Sequence, residues 1–258
     1  LTVREIVQKS SNIGTAKIAL LMGEDRLYQT LRRFGFGKPT GIGFGRESVG
    51  IFRPLRDAHG RRRWDNLSIT RFPIGQGISV TPLQLLQSYC ALANGGLMMQ
   101  LHVVDRIEST DTGLTQITEP KVKRRAVRPR AARQITRVLK LVTQEGGTAE
   151  KAAVPGYEVA GKTGTAQKWV TPPDGGKGYY SHSRFIASFV GYVPAENPAF
   201  VLLVLVDEPQ GSHYGGTVAA PTFSRISERT LSYLRIAPAK PQPSRVTFDQ
   251  EPEEYGFA

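Results

Sequence analysis

Residues 200–206 read FVLLVLV, seven apolar side chains in succession. A half-buried strand alternates apolar and polar residues, because successive side chains point to opposite faces. An unbroken apolar run therefore predicts a strand covered on both faces, set inside a sheet rather than at a border where it would template aggregation. Just upstream, RFIASFVGYV at 184–193 has the same β-branched and aromatic character, and the PAENP between the two runs is a turn of hairpin length. Strands joined in this way are antiparallel neighbours. A third strand is expected in YEVAGKTGTAQKWV, so the sheet should consist of strands near 157–170, 184–193 and 199–207. Only one partner of 199–207 is visible. Its other side should pair with strands outside this sequence or with an early hairpin.

Helical patterns surround these strands. LTVREIVQKSSNIGTAKIALLMGEDRLYQTLRRFGFG has helical spacing up to Gly35 and Gly37, which predicts two or three helices with a joint near Ser10–Asn12. Thr81 can cap a helix that Pro82 starts and Asn94-Gly95-Gly96 stops. Between Pro129 and Glu145, Ala132, Ile135, Val138, Leu139 and Val142 share one helical face, and a closing helix is expected from Val218 to Leu234. Residues 35–80 are rich in Gly, Pro and Arg without periodicity and read as a long irregular connection, functional or partly mobile. Residues 101–118 alternate like a hairpin with Asp111-Thr112-Gly113 as its turn. The class is α+β, an antiparallel sheet packed with helices plus a helical subdomain. Its domain is expected to span 1–236, followed by a flexible Pro-rich acidic tail at 237–258.

Composition narrows the function. No run of about 18 apolar residues is present, so no helix should span a bilayer. One cysteine, Cys90, leaves no disulfide framework, and His59, His102, His182 and His213 lack ligand spacing. Neither a metal nor a cofactor is expected. The net charge of +12 is concentrated in HGRRR at 59–63 and KVKRRAVRPRAAR at 121–133. No aromatic residues interleave these runs as single-strand binders require, so they read as solvated basic surface and no nucleic-acid partner is expected. The first residue is Leu and the text begins mid-pattern, which suggests the C-terminal part of a longer protein.

One stretch carries chemistry, GKTGTAQK at 161–168. Thr163 and Thr165 are two apart, so their hydroxyls share a strand face beside the Lys162 ammonium, an arrangement suited to a carboxylate. Gly161 and Gly164 would let a ligand lie close to the strand. The plainer reading is a bent strand with a lysine laid along the surface. A second polar group is Ser10-Ser11-Asn12, at the helix joint, where Ser10 could relay a proton and Asn12 could bind an amide through both donor and acceptor. Ordinary N-capping by Ser11 or Asn12 would explain the same residues.

Taken in this order, with GQGISVTPLQLLQSYCALANGG between them and GGTVAAPTFSRI after the strands, the motifs resemble the transpeptidase domain of penicillin-binding proteins, specifically the monofunctional septal or elongation class. The resemblance covers about residues 1–236. It implies the fold shared by serine β-lactamases and penicillin-binding proteins, with the N-terminal part of that fold absent. It also implies roles: Ser10 in proton transfer, Asn12 on the substrate amide, and Lys162 as positive potential. Thr163 and Thr165, flanking Gly164, would bind the terminal carboxylate of a D-Ala-D-Ala stem peptide or a β-lactam. The Thr165 N–H would form half of an oxyanion hole. His213 and Tyr214 stand where the family has aromatic cleft walls, the His being a departure. An extracytoplasmic location on the inner membrane, an N-terminal anchor and partners among cell-wall synthesis proteins are implied as well.

The family's nucleophile is the Ser of S-x-x-K, several tens of residues upstream of S-x-N. No serine stands three residues before any lysine here; Thr118 and Thr148 have that spacing to Lys121 and Lys151 but lie downstream of Ser10. The nucleophile is therefore expected upstream of Leu1, which would leave this fragment inactive alone. Open alternatives are a serine β-lactamase or D,D-carboxypeptidase relative, for which no acidic residue to position a deacylating water is evident, and a non-catalytic scaffold of the same fold.

Overall fold

The computed structural model describes residues 1–43 and 45–239. Three antiparallel strands form its main sheet: β5 (Ala160–Val170), β6 (Tyr179–Val193) and β7 (Phe200–Asp207), in the order β5-β6-β7. Helices cover both faces. On one lie the short α7 (Gly215–Val218) and α8 (Ala220–Tyr233), where Phe189, Val193, Phe223, Leu231 and Val142 are almost wholly buried. On the other, α5 (Pro82–Ala93) and α6 (Pro129–Lys140) enclose Tyr192, Ala160 and Leu139. The Tyr192 hydroxyl lies 2.7 Å from Thr136 Oγ1, which satisfies both polar groups inside this apolar layer.

The two helical layers explain FVLLVLV. Phe200, Leu202 and Val204 join the α8 core while Val201 joins the α5 and α6 core, so both faces of β7 require apolar residues. β7 is a border strand, only partly buried, and among the described residues no strand pairs with its outer side. The early hairpin is not its partner: β2 (Arg106–Glu108) and β3 (Thr115–Ile117) form a separate two-stranded sheet. That hairpin matches the predicted turn at 111–113. It is enclosed between β1 (Leu97–Met99) and β4 (Val122–Arg125), a pair the sequence reading had not resolved.

The N-terminal helices are α1 (Val3–Gln8), α2 (Asn12–Met22) and α3 (Glu24–Arg33), with the joint where it was expected. Thr81 caps α5 in a full capping box with Gln84, and Pro82 starts the helix. The aperiodic stretch at 35–80 contains α4 (Ser68–Arg71) and is fixed by a second core. Trp64 meets Phe72 edge-on at 4.5 Å and Tyr28 at 5.9 Å, and its Nε1 donates to Arg53 O. The buried Gln84 amide donates to the carbonyls of Lys38 and Val49. A long segment without periodicity is thus held by aromatic clustering and side-chain-to-backbone bonds.

Several basic residues also have structural work. Lys123, Arg124 and Arg125 donate to the carbonyls of Thr40, Arg33 and Gly95, and Arg62 pairs with Glu24. Cys90 is half-buried on α5, and burial pushes its thiol pKa up. Among the described residues no helix is long and apolar enough to cross a membrane. Most of the expected tail, residues 240–258, lies outside the described residues.

Candidate active site

The joint between α1 and α2 divides its polar residues. Ser11 is the N-cap of α2, accepting from the Gly14 N–H at 3.2 Å, so the capping role falls on one serine. Ser10 is left free of the helix. Its φ is +53°, a left-handed conformation that L-residues adopt at a cost, and its hydroxyl is directed away from both helices to β5. There it accepts from Lys162 Nζ at 2.9 Å, a contact between residues 152 positions apart.

On β5, register fixes the faces. Thr163 pairs with Phe189 and Thr165 with Ala187, on the α7 and α8 side, whereas Lys162 pairs with Val190 on the opposite side. β5 is the other border of the sheet, and around its open edge Lys162 Nζ reaches Thr163 Oγ1 and Thr163 O, both at 3.2 Å. With Ser10, these contacts account for all three donors of an ammonium. The Gly215 N–H at the start of α7 donates to Thr165 Oγ1 at 3.2 Å. The glycines serve packing more than ligand access. A Cβ on Gly161 would stand 2.4 Å from Phe189 Cζ, and one on Gly215 would stand 2.1 Å from Ser188 O.

Together these elements border a cleft of about 560 Å³. Ser10 and Asn12 form one side, Thr163, Gly164, Thr165 and Gln167 another, and the loop Ile74-Gly75-Gln76 faces them. Tyr180 closes one end, its hydroxyl accepting from the Gly77 N–H at 3.0 Å, and Tyr214 stands in the wall. Among the described residues no Asp or Glu lines the cleft. The arrangement can hold an anionic group between an ammonium and two hydroxyls while presenting a carboxamide opposite.

A family model described as the penicillin binding protein transpeptidase domain matches residues 1–228. The chain belongs to the penicillin-binding protein transpeptidase family. It is 34% identical over 242 residues to the probable peptidoglycan D,D-transpeptidase PenA of Neisseria gonorrhoeae, covering 93% of this chain and 38% of that protein. The chain thus spans less than two fifths of that curated relative. Among solved structures, the transpeptidase domain of penicillin-binding protein 3 from Burkholderia pseudomallei is similar with a TM-score of 0.78 and 36% identity, over 93% of this chain and 67% of that one. Penicillin-binding protein 3 of Mycobacterium tuberculosis, solved with ampicillin, gives 0.82 and 32%, over 94% of this chain and 53% of that one.

In this transpeptidase domain the residues singled out from sequence converge, with one exception. Ser10, Asn12, Thr163, Gly164, Thr165 and Tyr214 line one cleft, and Lys162 joins its two sides. His213 stands behind the wall. It stacks on Phe185 with ring centroids 4.1 Å apart and lies 4.4 Å from Tyr214, so it backs the exposed tyrosine. Sequence reasoning set Thr148 aside as a match to the nucleophile spacing in the wrong order, and missed the 74–76 loop and Tyr180. The loop had a signal, Gly-Gln-Gly, whose glycines take φ of +85° and +77° around Gln76. Thr148 had none for the cleft beyond following Gly146-Gly147. Among the described residues no cluster of three or more His, Cys, Asp or Glu could hold a metal.

Burial lowers the Lys162 pKa from the ordinary value of 10.5 to about 8. Desolvation penalises the ammonium, and among the described residues no carboxylate pairs with it to compensate. Between pH 8 and 10.5 the unfolded chain therefore binds a proton that the folded one lacks, and stability rises with pH across that window. Below pH 8 the penalty is fully present, on the order of 3 kcal/mol as an upper bound at about 1.4 kcal/mol per unit. In the full-length protein, Lys162→Met should be more stable than wild type at pH 7, with the advantage shrinking towards pH 10.5. Denaturant unfolding at a series of pH values measures this, and a pH-independent difference would exclude a buried ammonium.

Proposed function

We propose that residues 1–236 form the substrate-binding part of a peptidoglycan D,D-transpeptidase domain, with 237–258 a tail outside it. The observation that carries this reading is the 2.9 Å contact between Lys162 Nζ and Ser10 Oγ, which joins the strand motif to the helix-joint motif within one cleft. Lys162, Thr163 and Thr165 hold the carboxylate of a D-Ala-D-Ala stem peptide, and Asn12 hydrogen-bonds its amide. The nucleophile is the serine of an S-x-x-K segment upstream of Leu1. The lysine of that segment takes the proton from the serine Oγ, which attacks the carbonyl between the two D-Ala residues while the Thr165 N–H supports the resulting oxyanion. As the C–N bond breaks, Ser10 passes a proton from Lys162 to the departing D-Ala amine. An amine of a second stem peptide then attacks the acyl-serine, forming the cross-link and releasing the enzyme. The incoming amine gives its own proton back to Lys162 through Ser10, and the lysine of the S-x-x-K segment returns its proton to the serine Oγ as the acyl group is transferred. β-Lactams acylate the same serine; the M. tuberculosis relative's complex with ampicillin supports β-lactam binding. The domain acts outside the cytoplasmic membrane on an upstream anchor, alongside other cell-wall synthesis proteins.

A hydrolase would need a carboxylate to activate a deacylating water, and among the described residues none lines the cleft, so turnover separates the two readings. Incubation with a fluorescent penicillin tests the proposal. The full-length protein should form a stoichiometric, slowly hydrolysed adduct, and residues 1–258 alone should form none. Rapid turnover would indicate a hydrolase, no adduct on the full-length protein a scaffold, and labelling of the 258-residue chain a nucleophile within it.

A further inference from the structure

Thr148 lines the cleft yet belongs to neither motif used by the proposed function. Its Oγ1 lies 3.0 Å from Thr163 Oγ1, which already accepts from Lys162 Nζ at 3.2 Å. A threonine hydroxyl has one proton and two lone pairs. With one lone pair engaged by Lys162, Thr163 keeps one lone pair and one proton, to be shared between Thr148 and a ligand. An ionised carboxylate only accepts hydrogen bonds. If Thr163 donated to Thr148, nothing would remain for the carboxylate. If Thr148 donates to Thr163, both lone pairs are filled and the Thr163 proton has only the cleft to address.

The surrounding backbone holds Thr148 in that position. Gly147 permits a turn in which a Cβ would stand 2.3 Å from Val142 O, and the next residue, Ala149, is buried with its N–H on Val142 O. From the other side Gly216 presses so closely that a Cβ there would stand 2.1 Å from Thr148 O. Gln8, two residues before Ser10, donates to Glu145 O and ties this turn to α1. The other carboxylate-facing hydroxyl is managed in a similar way, since the Gly215 N–H occupies a lone pair of Thr165 Oγ1.

We propose that Thr148 is a positioning residue that donates to Thr163 and thereby commits the Thr163 proton to the ligand carboxylate. The proposal rests on the carboxylate-binding reading of the cleft, and the test separates the two. In the full-length protein, acylation rate constants are measured for penicillin and for its methyl ester, which lacks the anionic carboxylate. Wild type should prefer the free acid; equal rates would remove the carboxylate site and this proposal with it. Given that preference, Thr148→Val should slow acylation by the acid about tenfold, the scale of one well-oriented hydrogen bond, and change the ester by less than about twofold. Thr148→Ser, which keeps the hydroxyl, should restore most of the rate. In a Thr163→Val background, Thr148→Val should have no further effect, because the hydroxyl it orients is gone. Equal losses on acid and ester, or multiplicative effects in the double variant, would overturn the proposal. Thr148→Ala guards against a packing clash of the valine, and if both apolar variants fail to fold the role is structural and the proposal falls.

Discussion

Lys162→Met in the full-length protein should slow penicillin acylation about a thousandfold while leaving the fold intact. Two effects combine. Loss of the Lys162 charge weakens the hold of the Thr163 and Thr165 hydroxyls on a carboxylate by roughly 1.5–3 kcal/mol, the scale of a charged hydrogen bond, or 10- to 150-fold. Loss of the Lys162–Ser10 proton route removes general acid–base assistance, typically worth about 10²–10⁴-fold. The contributions share one ammonium and do not simply multiply, which places the expectation near the middle. Methionine retains the unbranched stem along β5, so packing changes little. Stopped-flow acylation gives the rate constant, and a loss under tenfold would reduce Lys162 to an ordinary strand lysine.

The second large effect concerns the support beneath that strand. Phe223 of α8 meets Phe189 of β6 edge-to-face at 4.7 Å, both are wholly inaccessible, and Phe189 is the cross-strand partner of Thr163. Phe223→Ala opens a cavity that the surrounding strands and helices can fill only in part. The expected loss is about 3–5 kcal/mol, lowering the Tm of this domain by roughly 10 °C. Because the void lies under Thr163, acylation at a temperature where the variant remains folded should also weaken, chiefly in ligand binding. Calorimetry together with acylation kinetics checks both parts, and a Tm within about 2 °C of wild type would exclude Phe223 as a keystone of this core.

Local chemistry accounts for what could be read in advance. The Thr81 and Pro82 helix start, the three main strands and the polar joint at Ser10–Asn12 are each specified by neighbours within a few residues, and each forms. The Lys162–Ser10 bond has no local signature, since it spans 152 positions, and it was reachable only through the family's motif order. Thr148 stood out only for its spacing to Lys151, which says nothing of the cleft; one hydroxyl after two glycines otherwise resembles any turn, and its contact with Thr163 is made in the folded chain alone. The Tyr28, Phe52, Trp64 and Phe72 cluster has no period to betray it, so a structured segment read as a loose connection. The apolar run of β7 announced its cover by two helical layers, and of the two partners expected for its outer side the structure excludes the early hairpin, which pairs only with itself.

The left-handed backbone of Ser10 sets durability against activity at that position. Glycine there would relieve about 1 kcal/mol of steric conflict and would delete the hydroxyl that meets Lys162. Selection for robustness alone would drift towards glycine, and a search for thermostable variants would meet the same temptation. A serine on such a backbone offers its oxygen to Lys162 at the expense of a relaxed conformation.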